Sequence, residues 1–455
     1  MRRSFTAILL ACVVLPLAAQ TAPATQDSAQ DKKAGKEISA SDDPSAATSE
    51  SKAVPLGEIR RFVTTYEAVK NAYVEPKTDA QLMHSAVRGL LLDLDPHSVY
   101  FDHDDAERFD EDAEGQYEGL GIQVQQQPNA TLRIVAPMDG SPALKAGLKS
   151  GDIITAIDGK PVDRDNGNRQ LRGKAGTPVR LTIRRKGIAK AFDVKVVRAK
   201  IVVPSVESKM LEPGFGTVRV SGFQANTAVE FEQAIARLKQ QSGGKLRGLV
   251  IDLRSNPGGL LNAAVQMADD VVNSGTIVST RGRQKEGDTV YTAAPGDLLD
   301  GAPIVVLVDA GSASASEVLA GALKDLKRAR IVGSRTFGKG SVQSLLPLDN
   351  GDAVKLTTAR YYTPSGKSIQ GVGIKPDLIV RADGKQASAG DYRESALPGH
   401  LRGDDETDGD DDTGGEVLEG QAPLNAALVE LKRMAGVVAS PAQAATAAPA
   451  KRKAQ

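Results

Sequence analysis

Ile304-Val-Val-Leu-Val308 restricts the fold more than any other stretch: five consecutive aliphatic residues, apolar on both faces of a strand and too short for a helix. The run enters a small-residue turn, Asp309-Ala-Gly-Ser-Ala-Ser-Ala-Ser-Glu317, and then a helical pattern from Val318 to Leu326. A strand that turns through small residues into a helix start puts a serine hydroxyl at the mouth of an α/β layer. Free N–H groups of the first helical turn favour developing negative charge there. Ser314 is the candidate nucleophile.

The preceding residues repeat the strand-then-helix pattern. Thr217 to Val220 reads as a strand, and Thr227 to Lys239 as a helix with Thr227 and Glu230 at capping-box spacing. Gly248 to Leu253 is a strand whose composition implies burial on both sides, and Arg254-Ser-Asn-Pro-Gly-Gly259 feeds a helix from Leu260 to about Val272. Repeated βα units predict a layered α/β core. Backbone amides of a Pro-Gly-Gly turn at a helix start can hold an oxyanion, although glycine there also suits a plain turn.

A nucleophilic serine needs a base, and the histidines are only His84, His97, His103 and His400. The other solution is a lysine kept neutral by desolvation. Lys339, in Phe337-Gly-Lys-Gly-Ser-Val-Gln343, is flanked by glycines in a strand-like segment. Taken singly, Ser314 also fits a helix cap and Lys339 a surface lysine. Gly333 to Lys339 nearly matches a phosphate-binding loop, but Gly340 stands where Ser or Thr is required.

A chain of 455 residues predicts two or three domains. Lysine plus arginine equals aspartate plus glutamate at 57 each, so no global charge points to nucleic acid or a membrane. Tryptophan is absent and aromatics make up 4%, which leaves the cores to aliphatic side chains. Residues 1–19 have the basic start, short apolar run and small residues of a secretory signal. Cys12 follows Leu9-Leu-Ala11 as in a lipoprotein acceptor site, but the apolar run continues through Val13-Val-Leu15, which argues against a lipid anchor. Cleavage near Ala19 leaves no cysteine and hence no disulfide.

Residues 20–53 read as a disordered tether. Leu56, Ile59, Phe62, Tyr66, Val69 and Tyr73 recur at helical spacing until Pro76, a second helix is expected from Asp79 to about Leu92, and Leu94-Asp-Pro-His-Ser98 reads as a turn. His97, His103 and Asp102 to Asp105 lack metal-ligand spacing; a solvated acidic loop is expected, and neither metal nor cofactor is assigned. Residues 111–200 carry Glu118-Gly-Leu-Gly-Ile122 and then Gly151-Asp-Ile-Ile-Thr-Ala-Ile-Asp-Gly159, an order that resembles a PDZ domain. Such a domain adds a peptide to a sheet edge and holds its terminal carboxylate on loop N–H groups, here those of Leu120, Gly121 and Ile122.

Taken together, Leu94 to Ser98, the PDZ unit, Asp252 to Gly259, Gly311 to Glu317, Phe337 to Gly340 and Tyr361-Tyr-Thr-Pro-Ser-Gly366 resemble the C-terminal processing peptidases, or tail-specific proteases, over residues 56–382. The resemblance implies a multidomain α+β chain. It has a helical N-terminal region (54–110), a PDZ domain (111–200) and a crotonase-like α/β catalytic core with a β-rich cap (201–385). Past about residue 385 the resemblance fades, and the residues themselves read as an acidic, solvated linker (386–420) and a C-terminal helix with a disordered tail (421–455). The resemblance implies Ser314 as nucleophile, Lys339 as general base, Gln343 as the residue orienting the lysine and Glu317 as a further member of the site. Oxyanion donors fall on the N–H groups of Gly259 and Ala315, with Gly258 a weaker substitute, and Arg172 falls where an arginine couples peptide binding to catalysis. The implied partners are proteins with unstructured C-terminal tails, with room for an adaptor protein and a homo-oligomer; no nucleic acid is expected. The implied location is an exported one such as the bacterial periplasm. A non-catalytic PDZ scaffold would tolerate loss of Ser314 or Lys339, and an acyl-CoA enzyme would not explain the PDZ unit.

Overall fold

The computed structural model describes residues 54–163, 167–285, 288–381, 392–407 and 415–437. The expected signal, the tether and most of the C-terminal tail lie outside these residues. No helix among the described residues is long and apolar enough to cross a membrane.

The α/β layer is a six-stranded sheet in the order Val206–Glu212, Phe215–Val220, Gly248–Asp252, Ile304–Val308, Ala329–Gly333, Leu378–Ile379. The first pair is antiparallel and the rest are parallel. Side chains alternate across it, which is why the central runs are apolar throughout. Leu249, Ile251, Ile304, Val306 and Val308 face the helices Thr227–Gln241, Leu261–Asp269 and Ala315–Asp325. Val250, Val305 and Leu307 face the C-terminal helix Ala422–Met434, whose Ala427 and Leu431 are fully buried.

A second, antiparallel sheet is built on the long strand Ala353–Tyr362. Ser341–Pro347 pairs along one edge of it, while Val99–Phe101 and Gly275–Gly282 share the other. The residues just after Ser98 thereby become part of the cap.

The PDZ unit is a separate antiparallel sheet of five main strands around Leu132, Ile134, Ile154, Leu181 and Ile183, with Ile122–Gln126 at its edge. Gln116–Gly119 and Ala199–Val202 pair as the strands that enter and leave it. In the N-terminal region the two expected helices span Leu56–Ala72 and Asp79–Leu92; the first buries none of its side chains.

Three expectations are corrected. Residues 102–105 are not a solvated loop: Asp102 caps the helix His103–Glu114 by accepting the Asp105 N–H at 2.9 Å, and acidic residues in a first turn suit the helix dipole. Thr227 and Glu230 form no capping box, because the Glu230 carboxylate instead accepts the N–H groups of Ser205 and Val206 at 3.0 and 3.2 Å. The acidic run is not free solvated linker at its start: Asp404 bonds Arg360 and Tyr362, and Asp405 accepts the Ser368 N–H.

Candidate active site

Ser314 sits at the end of the turn after Ile304–Val308, as the residue that begins the helix Ala315–Asp325. Its backbone has φ 53° and ψ −115°, a strained conformation for a residue with a side chain, and it is 7% exposed. The buried Tyr361 phenol lies within hydrogen-bonding reach of the Ser314 side chain, and burial pushes its pKa up to about 12.

Glu317 joins the two candidate segments. Its fully buried carboxylate accepts the backbone N–H of Ser314 at 2.8 Å and of Lys339 at 2.9 Å on Oε2. On Oε1 it accepts the Gly338 N–H at 2.7 Å and the Thr336 hydroxyl at 2.5 Å. Burial pushes the Glu317 pKa up to about 7, against these four hydrogen bonds, which favour the ionised form.

Lys339 is half-buried at the end of that loop. Burial lowers its pKa, and the Lys355 charge lowers it further; Glu394, Glu317 and Asp95 act in the opposite direction. The first cause is the one expected of a lysine that is to serve as a base.

The glycine turn faces the serine. Phe223 N–H donates to Gly258 O at 2.9 Å, and Leu260 N–H to Phe223 O at 2.7 Å, so Phe223 and Gly259 pair as a one-residue bridge. The N–H of Gly259 therefore points to the opposite side, whereas that of Gly258 is taken by Asn256 Oδ1 at 2.9 Å. A Cβ on Gly258 would lie 2.8 Å from Ser314 Cβ and 3.1 Å from Ala315 N, so the turn rests on the start of the serine helix. Asn256, to which the sequence reading gave no role, ties the two together: its carbonyl accepts the Ala313 N–H and the Ser316 hydroxyl, both at 3.0 Å.

Other expected residues lie elsewhere. The Gln343 amide donates to Ser341 Oγ at 2.9 Å and Thr357 Oγ1 at 3.3 Å and forms no hydrogen bond with Lys339. Leu120, Gly121 and Ile122 line a groove of about 200 Å³ in the PDZ unit together with Tyr117, Leu171 and Arg172. Arg172 pairs with Glu111 and stacks over the Tyr117 ring at 4.9 Å.

These features match known proteins. The family model described as peptidase family S41 matches residues 214–380, a PDZ domain model matches 119–196, and a model of the N-terminal domain of the activating protease CtpB matches 17–105. A carboxy-terminal-processing protease of Bartonella bacilliformis is 44% identical over 358 residues, covering 77% of this chain and 82% of that protein. The chain belongs to peptidase family S41. A carboxy-terminal processing protease CtpA of Bacillus subtilis is 36% identical over 338 residues, covering 73% of the peptidase and 70% of that protein. A solved photosystem II D1 C-terminal processing protease is 32% identical, covering 72% of the peptidase and 94% of that chain, with a TM-score of 0.42. The peptidase is a C-terminal processing serine protease with a PDZ domain.

Proposed function

We propose that the peptidase is an exported endopeptidase that captures unstructured C-terminal tails in its PDZ groove and cuts them with a Ser314/Lys339 dyad. The observation that carries this reading is the single Glu317 oxygen shared by the N–H groups of Ser314 and Lys339.

Neutral Lys339 takes the Ser314 proton while Oγ attacks the scissile carbonyl. The N–H groups of Gly259 and Ala315 receive the oxyanion. Collapse expels the amine, which takes the proton from Lys339, and leaves an acyl-enzyme; Lys339 then deprotonates water, whose attack releases the carboxylate product and restores Ser314. The tail lies as an added strand along Ile122–Gln126, its carboxylate on the loop Leu120 to Ile122. Arg172 couples groove to site through its contacts with Tyr117 and Glu111. Exposed Ile59, Phe62, Val63, Leu90 and Leu92 on the N-terminal helices support a homo-oligomer, which sedimentation would detect.

The test is cleavage of an unstructured protein with an apolar C-terminus by the mature chain, beside Ser314→Ala and Lys339→Ala. Loss of cutting with tail binding kept is the expected result. Undiminished cutting by either variant overturns the dyad.

A further inference from the structure

Leu94-Asp-Pro-His-Ser98 has no part in the chemistry above, yet it is wired to the lysine loop. Asp95 is 4% exposed; its Oδ1 accepts the N–H groups of His97 and Ser98 at 2.8 and 2.9 Å and the Thr357 hydroxyl at 3.1 Å. Its Oδ2 takes the Ser98 hydroxyl at 2.8 Å. This turn aims His97 inward, where Nε2 lies 2.9 Å from both oxygens of Glu394, a fully buried residue.

Glu394 reaches the lysine loop twice. Its Oε1 accepts Gln370 Nε2 at 2.9 Å, and Gln370 Oε1 accepts the N–H of Gly340 at 2.9 Å, directly after Lys339. Its own N–H donates to Phe337 O at 2.9 Å, while the neighbouring Tyr392 ring meets the Phe337 ring edge-on at 5.8 Å. Phe337 is thus held by the Glu394 backbone, and Gly340, through Gln370, by the buried carboxylate that His97 completes. Apolar side chains of similar volume often fill such a space without loss of stability. A polar chain beside the lysine therefore calls for a role other than packing. The charged groups that act on the Lys339 ammonium are Lys355 of the long cap strand, Glu394, Glu317 and Asp95.

We propose that His97 and Glu394 are positioning residues for catalysis: with the pair closed, the Phe337 to Gly340 loop holds Lys339 where it serves Ser314, and with the pair broken the loop withdraws it. The proposal rests on the Ser314/Lys339 reading. It makes the base sensitive to how the N-terminal region, the core and the segment around Glu394 are docked, since each supplies one part of the clasp.

The experiment measures kcat and KM of the full chain on an unstructured protein across the pH range in which lysine titrates. The variants are His97→Ala, Glu394→Ala, the double variant, Glu394→Gln and Ser314→Ala, each with its melting temperature. Each alanine variant is expected to lower kcat roughly a hundredfold with KM little changed. The double variant should be no worse than either single one, because both break one link. Glu394→Gln should move the ascending limb of the pH profile to lower pH, since a negative charge that favours the ammonium is gone; a purely structural residue would leave the limb in place. Where an alanine variant melts below the assay temperature, Glu394→Gln decides. Wild-type kcat in the single variants, additive losses, or an unmoved limb in Glu394→Gln overturns the clasp. If Ser314→Ala still cuts, the dyad falls and the clasp with it; if Ser314→Ala is silent but His97→Ala is fully active, the clasp alone falls.

Discussion

Glu317 Oε2 accepts the backbone N–H of Ser314 at 2.8 Å and that of Lys339 at 2.9 Å, so the serine turn and the lysine loop meet on one oxygen atom. Glu317→Gln replaces an oxygen that accepts two donors with an NH2 group that cannot accept any. Leaving buried donors without partners costs about 1–3 kcal/mol each. The variant should unfold at clearly lower urea concentration and lose activity, as denaturation and cleavage assays will show.

The pH profile should report Lys339. Burial lowers its pKa, so kcat/KM should rise with pH through an apparent value below about 10.4, that of a free lysine. Lys355→Met removes the like charge that also disfavours the ammonium. Lys339 then holds its proton more tightly, and the rising limb should move to higher pH. A limb that moves the other way in this variant would contradict the assignment.

Gly259→Ala should damage catalysis with tail binding preserved. Gly259 has φ 137°, and a Cβ there would lie 2.2 Å from the Phe223 carbonyl oxygen, so the bridge must open and the Gly259 N–H must turn. Loss of one oxyanion donor costs about a hundredfold in kcat. Burst kinetics, which count acylated enzyme per active site, separate this loss from unfolding.

Gly121→Ala should do the reverse. Its φ of 70° favours glycine, and a Cβ would lie 2.5 Å from Ser141 Cβ beneath the groove. Tail-peptide affinity should fall about tenfold, equivalent to roughly 1.4 kcal/mol. Labelling of Ser314 by a small phosphonate should continue at the wild-type rate.

Leu431→Ala tests the underside of the core. Leu431 is fully buried against the sheet, so its truncation should cost about 2–5 kcal/mol in a denaturant titration. A helix that merely leaned on the surface would show a far smaller loss.

Much of the site is legible in the residues. A five-residue apolar strand, a small-residue turn and a helix start are local features, and they put Ser314 at the start of the helix; Gly259 and Ala315 as oxyanion donors were implied only by the family resemblance. The PDZ groove was equally readable, because Gly119 to Ile122 is a contiguous loop. Gln343 is different: being four residues after Lys339 does not aim it, and cap-strand pairing turns its amide to Ser341 and Thr357. Thr357 in turn donates to Asp95 at 3.1 Å.

By itself the sequence determined the layers, the small-residue serine turn and the lysine between glycines, because periodicity, chain stiffness and small residues act over a few neighbouring positions. Tertiary structure alone decided that Glu317 clasps both segments, that Lys339 loses enough water to lower its pKa, and that His97 meets Glu394 from 297 residues away. Desolvation and charge proximity depend on what packs around a group in three dimensions, and no short-range pattern in the chain encodes them.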